Sequence, residues 1–288
     1  MKKGIVFMTR EPTIKMSERH IDERKLSCRP RHPRRAIYVR MPKAANTGLG
    51  NYCVHHGVET ILPSWTLEGE MSSIYPADND FLFSFIRHPV KRFKSAFQMF
   101  IRGHTHCRRL TLTGSCAEIK PYLDPCGPSI QKFCIFIQQK LDEMKCVDAT
   151  GAWDINKLYR AVGVAPHFMK PPDLEARRRR GDCDMWWILQ HIIPQVDMLQ
   201  FFRSLELYEF IGTLDYLQPG LKQLREELRY LEPGNPGWMG TFGERPLGIK
   251  NRAPASEPIV LSTEDYQMIS SMYERDIALY EMIMEKYQ

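Results

Sequence analysis

FLFSFIRHPVKRFKSAF, residues 81–97, changes character once, at Arg87. Phe81 to Ile86 is apolar except for Ser84. A run of that length suits a strand rather than a helix, and the lack of polar alternation marks a strand covered on both faces. Pro89 then stands where a first helical turn tolerates proline, because the missing N–H would have had no intrahelical partner. Val90, Phe93, Phe97 and Phe100 follow at the spacing of one helix face. The same order occurs earlier: AIYVR (36–40) is a short β-rich run, MPKAANTGLG (41–50) is a loop, and NYCVHHGVETIL (51–62) continues as a helix. Two strand-to-helix units predict an α/β fold with a parallel sheet and crossover helices.

Outward from these units the chain divides by texture. Residues 1–35 are polar and basic, end in RPRHPRR, and read as a loosely held arm ahead of a single domain at 36–288. Residues 102–182 are turn-rich, with a helix expected at 129–145, and read as an insertion over the active-site face. The stretch 185–205 (MWWILQHIIPQVDMLQFFRSL) is helical in pattern, LYEFIG (207–212) is a strand and LKQLREELRYL (221–231) is a helix. A Pro/Gly-rich loop occupies 233–258. Thr263 to Tyr287 is expected as one amphipathic helix with Ile269, Tyr273, Ile277 and Tyr280 on one face.

With 288 residues and 43% hydrophobic content the chain can bury one substantial core. A formal net charge of +6 suits a polyanionic ligand and falls short of a nucleic-acid-binding signature. No window is long and apolar enough for a membrane span or a signal-peptide core, so the sequence as written reads as soluble and cytoplasmic, or as an anchor-less form of a longer Golgi-lumenal protein. Five of the eight cysteines (Cys107, Cys116, Cys126, Cys134, Cys146) fall within forty residues without C-x-x-C spacing, which argues against zinc. Buried thiols and disulfides of a secretory-pathway relative are both open readings.

Two segments carry chemistry. In Pro42-Lys43-Ala44-Ala45-Asn46-Thr47-Gly48, between strand and helix, small residues let successive backbone N–H groups converge on one anion, and the helix dipole reinforces them. Lys43 adds a mobile positive charge and Thr47 a hydroxyl donor. The Walker pattern G-x-x-x-x-G-K-[ST] is absent. In the second segment Arg87 stands just past the buried strand and Ser95 two turns into the next helix, an arrangement suited to a second phosphate.

Together these segments resemble the 5'-phosphosulfate loop, PK-small-small-x-[ST], and the 3'-phosphate motif, R-x-P-x-x-R-x-x-S, of the sulfotransferase family 2 group. These are the Golgi-type carbohydrate sulfotransferases and their bacterial relatives. Pro42, Lys43, Thr47, Arg87, Pro89, Arg92 and Ser95 fall in register. His191-Ile192-Ile193-Pro194-Gln195 resembles the family's H-x-x-P-Q, Phe210-Ile211-Gly212 its FIG strand, Lys250-Asn251 a late nucleotide-side loop, and Tyr273 to Tyr280 its Y-x-x-D-x-x-x-[YF] helix. The resemblance covers about 37–100 and 188–285 and leaves 102–182 unmatched. It implies a P-loop-like three-layer fold with a central parallel sheet flanked by helices and a helical or loop insertion over the active site. The implied donor is 3'-phosphoadenosine-5'-phosphosulfate (PAPS), with 3',5'-ADP as product and no metal. Lys43, Ala45 and the amides of Asn46, Thr47 and Gly48 would hold the 5' end, Arg87 and Ser95 the 3'-phosphate, with Lys250 and Asn251 nearby.

A hydroxyl acceptor needs a general base, and the sequence offers His55, His56, Glu59, Glu68, Glu70, His104, His106 and His167. The resemblance favours His56, Glu68 or Glu70, between the two nucleotide motifs. His191 and Gln195, four apart on one helix face, are candidates to brace the site. Arg177 to Arg180 reads either as a recognition patch for an anionic glycan or as a solvated loop, and Trp186 and Trp187 as sugar-stacking or core residues. Glu59, Glu68, Glu70, Asp78 and Asp80 keep a cationic small-molecule acceptor open beside a carbohydrate. Two other classes stand as alternatives. A P-loop kinase would need the missing Walker lysine and a Mg²⁺-binding aspartate, and a binding module would hold 3',5'-ADP without turnover.

Overall fold

A computed structural model of the chain describes residues 35–44, 46–61, 76, 80–106, 129–161, 188–189, 191–229 and 259–287, with backbone alone at 46–47, 101–106, 159–160 and 229. The chain separates into two units, Met1–His32 and Pro33–Gln288, and every described residue belongs to the second. Four strands, β1 (Ala36–Val39), β2 (Glu59–Ile61), β3 (Phe81–Ile86) and β4 (Tyr208–Thr213), form a parallel sheet in the order β2-β1-β3-β4. Among the described residues the α-helices with both ends placed are α1 (Asn46–His55), α2 (Pro89–His106), α3 (Ile130–Glu143), α4 (Ile155–Ala161), α5 (Gln195–Phe202), α6 (Leu217–Arg229), α7 (Thr263–Met272) and α8 (Glu274–Glu285). Among the described residues no helix is long and apolar enough to cross a membrane.

Because side chains alternate across a strand, the uninterrupted apolar runs of β1 and β3 feed two cores. Ile37, Val39, Leu82 and Ile86 face α2, α3, α5, α7 and α8, whereas Ala36, Tyr38, Phe81, Phe83 and Phe85 face Leu49 and Cys53 of α1 and Leu221, Leu224 and Leu228 of α6. The sheet therefore has a helical layer on each face. Ser84, the polar interruption in β3, is fully buried and its hydroxyl donates to Val39 O at 2.7 Å, which removes the cost of burying it. The predicted stripe on α2 is buried and packs around Phe133 of α3, with Phe97 at 5.2 Å and Phe100 at 5.9 Å between ring centroids.

Three local expectations are corrected. The helix read through residues 51–62 stops at His55. Gly57 takes a positive φ of 73°, and Gly57 N donates to Val54 O and Val58 N to Cys53 O, the paired bonds of a Schellman stop. The chain then turns back as β2, which the sequence reading lacked. The pattern at 185–205 breaks at Pro194, so that α5 begins only at Gln195. The single C-terminal helix is two, α7 and α8, divided at Tyr273, whose backbone leaves the helical region. The expected helix at 129–145 is α3, capped by Ser129.

Between β3 and β4 the pairing advances one residue on β3, Leu82 to Phe83, and two on β4, Tyr208 to Phe210, so Glu209 is an extra residue. Its carboxylate accepts from Leu82 N at 2.9 Å. The bulge turns Phe210 onto the face of Phe85, and Gly212 makes room for both rings. A Cβ at 212 would lie 2.6 Å from Phe85 Cε1 and 2.9 Å from Phe210 Cε1. Gly212→Ala is therefore expected to cost about 1–3 kcal/mol by overpacking, read as a lower urea midpoint at unchanged slope.

Buried thiols account for the three described cysteines, Cys53, Cys134 and Cys146, all of them free. Cys107, Cys116 and Cys126 lie outside the described residues, as do Arg177 to Arg180, Trp186 and Trp187.

Candidate functional site

The strand order reverses direction between β1 and β3: from β1 the chain goes outward to β2, and then to β3 on the other side. In an open parallel sheet the crevice outside the carboxyl ends of the two strands at such a reversal is where ligands bind, because the connections leave it in opposite directions. Both segments singled out in the sequence stand there. The loop Arg40–Ala44 leaves β1 and runs into α1, and Arg87 and His88 leave β3 and run into α2.

The loop is a tight turn closed by Ala44 N donating to Met41 O at 3.1 Å, with Pro42 and Lys43 as its central residues. Proline at the first central position and positive φ at the second is the arrangement of a type II turn, where glycine or asparagine is the usual second residue. Here Lys43 occupies it with φ 64°. A lysine in the left-handed region costs of order 1 kcal/mol or more, and such strain persists where the surroundings over-determine the conformation. The surroundings do so through arginine. Arg92 is fully buried in the first turns of α2, and its Nε donates to Pro42 O at 2.9 Å and its Nη1 to Ile193 O at 2.8 Å. Its Nη2 is buried without a hydrogen-bond partner. Burial lowers the pKa of Arg92, and the nearby Tyr273 and Asp276 oppose this.

Arg87 joins the two segments. Its half-buried guanidinium donates from Nη1 to Lys43 O at 3.3 Å. Burial lowers its pKa, and the charge of Asp215 opposes this. Its backbone is held with unusual completeness for a residue beyond a strand end: Arg87 N donates to Gln195 Oε1 at 2.9 Å, and Gln195 Nε2 donates to Arg87 O at 2.8 Å. Gln195 is itself fully buried at the N-terminus of α5. The N-cap of that helix is Pro194, which has no side-chain acceptor to offer, and the missing cap comes from Asp276 of α8. Asp276 Oδ2 accepts from Gln195 N at 2.7 Å and Oδ1 from Val196 N at 2.8 Å. Burial raises the Asp276 pKa, countered by Arg92 and by these two amides. Tyr273 completes the join by donating its hydroxyl to Ile192 O.

A partly exposed set lies beside this core. Asp215 accepts from Lys91 Nζ at 2.9 Å and from the Tyr280 hydroxyl, while the His88 ring meets the Tyr280 ring edge-on at 5.0 Å. Burial pushes Asp215 upward, but the bonds from Tyr280 and Lys91 outweigh it and hold the carboxyl below its ordinary range. Burial and the neighbouring Lys91 charge lower the His88 pKa. On the far side of Pro194, Asp197 accepts from Trp153 N at 2.9 Å and pairs with Arg275, and burial pushes its carboxyl up to about 6.

The structure thus brings Lys43 and Arg87 into contact, with the backbone of Asn46, Thr47 and Gly48 in the first turn of α1 beside them. Ser95 is half-buried on α2, one turn beyond Lys91 and Arg92. His55, His56 and Glu59 are not part of this group. The two histidines sit at the opposite end of α1, about 15 Å of helix away from the loop. His56 is buried against Tyr52 with ring centroids 4.6 Å apart, and Glu59 pairs with Arg35 at 3.1 Å. Asp80 also binds Arg35, at 2.6 Å, so this cluster ties together the amino ends of β1, β2 and β3. Ala45, Glu68, Glu70, Asp78, His167, Lys250 and Asn251 lie outside the described residues, as do the side chains of Asn46, Thr47, His104 and His106. His191, expected with Gln195 as a brace, packs edge-on to Phe100 at 6.1 Å.

Sequence reasoning gave no role to Arg92, Asp276, Asp215 or His88. The visible signal for the first two was their placement inside the R-x-P-x-x-R-x-x-S and Y-x-x-D patterns. Comparison of the chain with protein-family models, with curated proteins and with solved structures finds no match in any of the three.

Proposed function

We propose that the chain is a PAPS-dependent sulfotransferase of P-loop-like architecture, acting on a hydroxyl or amine of a carbohydrate or small-molecule acceptor. The observation that carries this reading is the meeting of Lys43 and Arg87 at the carboxyl ends of the two strands flanking the sheet's reversal, 3.3 Å apart between Arg87 Nη1 and Lys43 O. Segments that resemble the two halves of an adenosine-bisphosphate site share one edge, as a single bridging nucleotide requires. The donor set fits that ligand. Arg40, Lys43, Arg87 and Arg92 concentrate positive charge there, α1 offers its first-turn amides, and Lys43 is held in a strained turn.

The donor would supply the sulfo group and a phosphate as leaving group. Lys43 neutralises charge on the leaving oxygen, the α1 amides orient the 5' end, and Arg87 with Ser95 grips the 3'-phosphate. Positioning and charge neutralisation are the main demands of such a loose in-line transfer, by analogy with phosphoryl transfer. The described histidines of α1 stand away from this edge, which leaves the acceptor's base to Glu68, Glu70 or another residue.

Titration calorimetry with 3',5'-ADP, 5'-AMP and Mg²⁺-ATP, followed by PAPS with an acceptor panel read by mass shift, tests the reading. The expected result is 3',5'-ADP at least tenfold tighter than 5'-AMP, the charge-assisted bonds to one phosphate being sufficient for that difference, and an acceptor gaining one sulfo group. Preference for Mg²⁺-ATP overturns it in favour of a kinase, and tight 3',5'-ADP binding with no transfer to any acceptor favours a binding module.

A further inference from the structure

Arg87, the residue proposed to grip the 3'-phosphate, has its backbone held by a residue 108 positions away in the chain. Arg87 lies one residue past β3, where neither neighbouring strand supplies a ladder partner: the last pairing is Ile86 with Thr213. The side-chain amide of Gln195 takes the place of a strand, closing two hydrogen bonds on the Arg87 N–H and C=O at 2.9 and 2.8 Å. Gln195 is itself tied down by its surroundings. It is fully buried, its backbone N is fixed by Asp276 at 2.7 Å, and its Nε2 also points to Asp276 Oδ2 at 3.4 Å. The guanidinium that leaves this clamped backbone then reaches Lys43 O.

We propose that Gln195 is a positioning residue for anion recognition: it never meets the ligand, and acts by fixing the Arg87 backbone so that the guanidinium addresses the 3'-phosphate and the Lys43 turn together. The proposal rests on the sulfotransferase reading and deepens it. A primary amide suits the task, because the clamp needs one donor and one acceptor side by side, which neither a carboxylate nor an apolar side chain offers. A displacement of about 1 Å at a recognition group can cost roughly a hundredfold, so release of the clamp is expected to be felt at the 3'-phosphate before it is felt elsewhere on the nucleotide.

The readout is the ratio of the dissociation constants of 5'-AMP and 3',5'-ADP, which isolates the 3'-phosphate. Gln195→Met keeps the volume and removes both hydrogen bonds. It is expected to shrink that ratio about tenfold while 5'-AMP affinity moves less than about twofold. In an Arg87→Ala background the same substitution is expected to leave the ratio unchanged, since the group it positions is gone. An undiminished ratio in Gln195→Met, or an equal loss with and without Arg87, overturns the proposal by assigning Gln195 a general structural role. If Gln195→Met does not fold, Gln195→Glu, which keeps the acceptor for Arg87 N, is measured in both backgrounds under the same criteria. A wild-type protein that does not distinguish 3',5'-ADP from 5'-AMP sinks the sulfotransferase reading itself, whereas normal wild-type discrimination with an unaffected Gln195 variant sinks only the clamp.

Discussion

On the proposed sulfotransferase reading, Lys43→Ala is expected to lower kcat for sulfo transfer by roughly a hundredfold to a thousandfold, the scale associated with removing one pre-organised group from a developing negative charge. Lys43 occupies a left-handed position, φ 64°, in a turn where glycine is more comfortable, and the turn is pinned by Arg92 at Pro42 O and by Arg87 at Lys43 O. A side chain kept at such a cost points to use at the site rather than to stability. Two substitutions separate the contributions. Lys43→Ala removes the charge and keeps the strain, whereas Lys43→Gly removes both. The glycine variant is expected to be more stable than the wild type by about 1 kcal/mol in urea denaturation and as slow as the alanine variant in turnover. Turnover retained in Lys43→Ala would rule out this residue as the neutralising group and the mechanism built on it.

The largest effect on stability is expected at Asp276. Asp276→Ala leaves Gln195 N and Val196 N buried without an acceptor and removes the carboxylate that offsets the buried charge of Arg92. Breaking a buried charged network from one side costs about 3–5 kcal/mol, because the groups left behind keep their desolvation penalty. At about 2–4 °C per kcal/mol for a domain of this size, calorimetry is expected to show Tm lowered by about 10 °C. Asp276→Asn keeps one acceptor oxygen and nearly the same shape, and is expected to lose about half as much. A fall below about 1 kcal/mol in the alanine variant would show that the N-terminus of α5 does not depend on this cap.

These predictions draw on different layers of the molecule. The apolar runs at 36–39 and 81–86 and the stripe Val90, Phe93, Phe97 and Phe100 were legible because burial on two faces or on one face writes its own period into neighbouring residues. Pro89 marked the start of α2 for an equally local reason. Local signals were misread where two of them competed. The apolar content of residues 51–62 suggested continuation, although Gly57 carried the stop that ends α1 before β2. The stripe from Thr263 to Tyr287 suggested one helix, although Tyr273 interrupts it.

The candidate site divides in the same way. Lys43, the α1 amides, Arg87 and Ser95 were candidates from sequence because each sits in a short pattern whose spacing follows from a strand, a turn and a helix. Their support was not legible. The partners in the clamp are separated by 108 residues between Arg87 and Gln195 and by 81 between Gln195 and Asp276, and the buried bonds of Arg92 span 50 and 101. Nothing in local periodicity encodes which distant carbonyl or amide a buried side chain will meet, since that depends on how the layers pack.

From its amino-acid order alone the chain determined an α/β class, the approximate places of three strands, and the positions of two basic segments proposed here to hold anions, because all of these are written in hydrophobic period and short-range spacing. Only the tertiary structure decided that both segments share one edge at the reversal of the sheet, that His56 and Glu59 lie away from it, and that Gln195, Asp276 and Arg92 hold it in place. The reason is physical: hydrogen bonds between buried groups far apart in the chain acquire their partners only when the sheet order and the helix layers bring those groups within about 3 Å of one another.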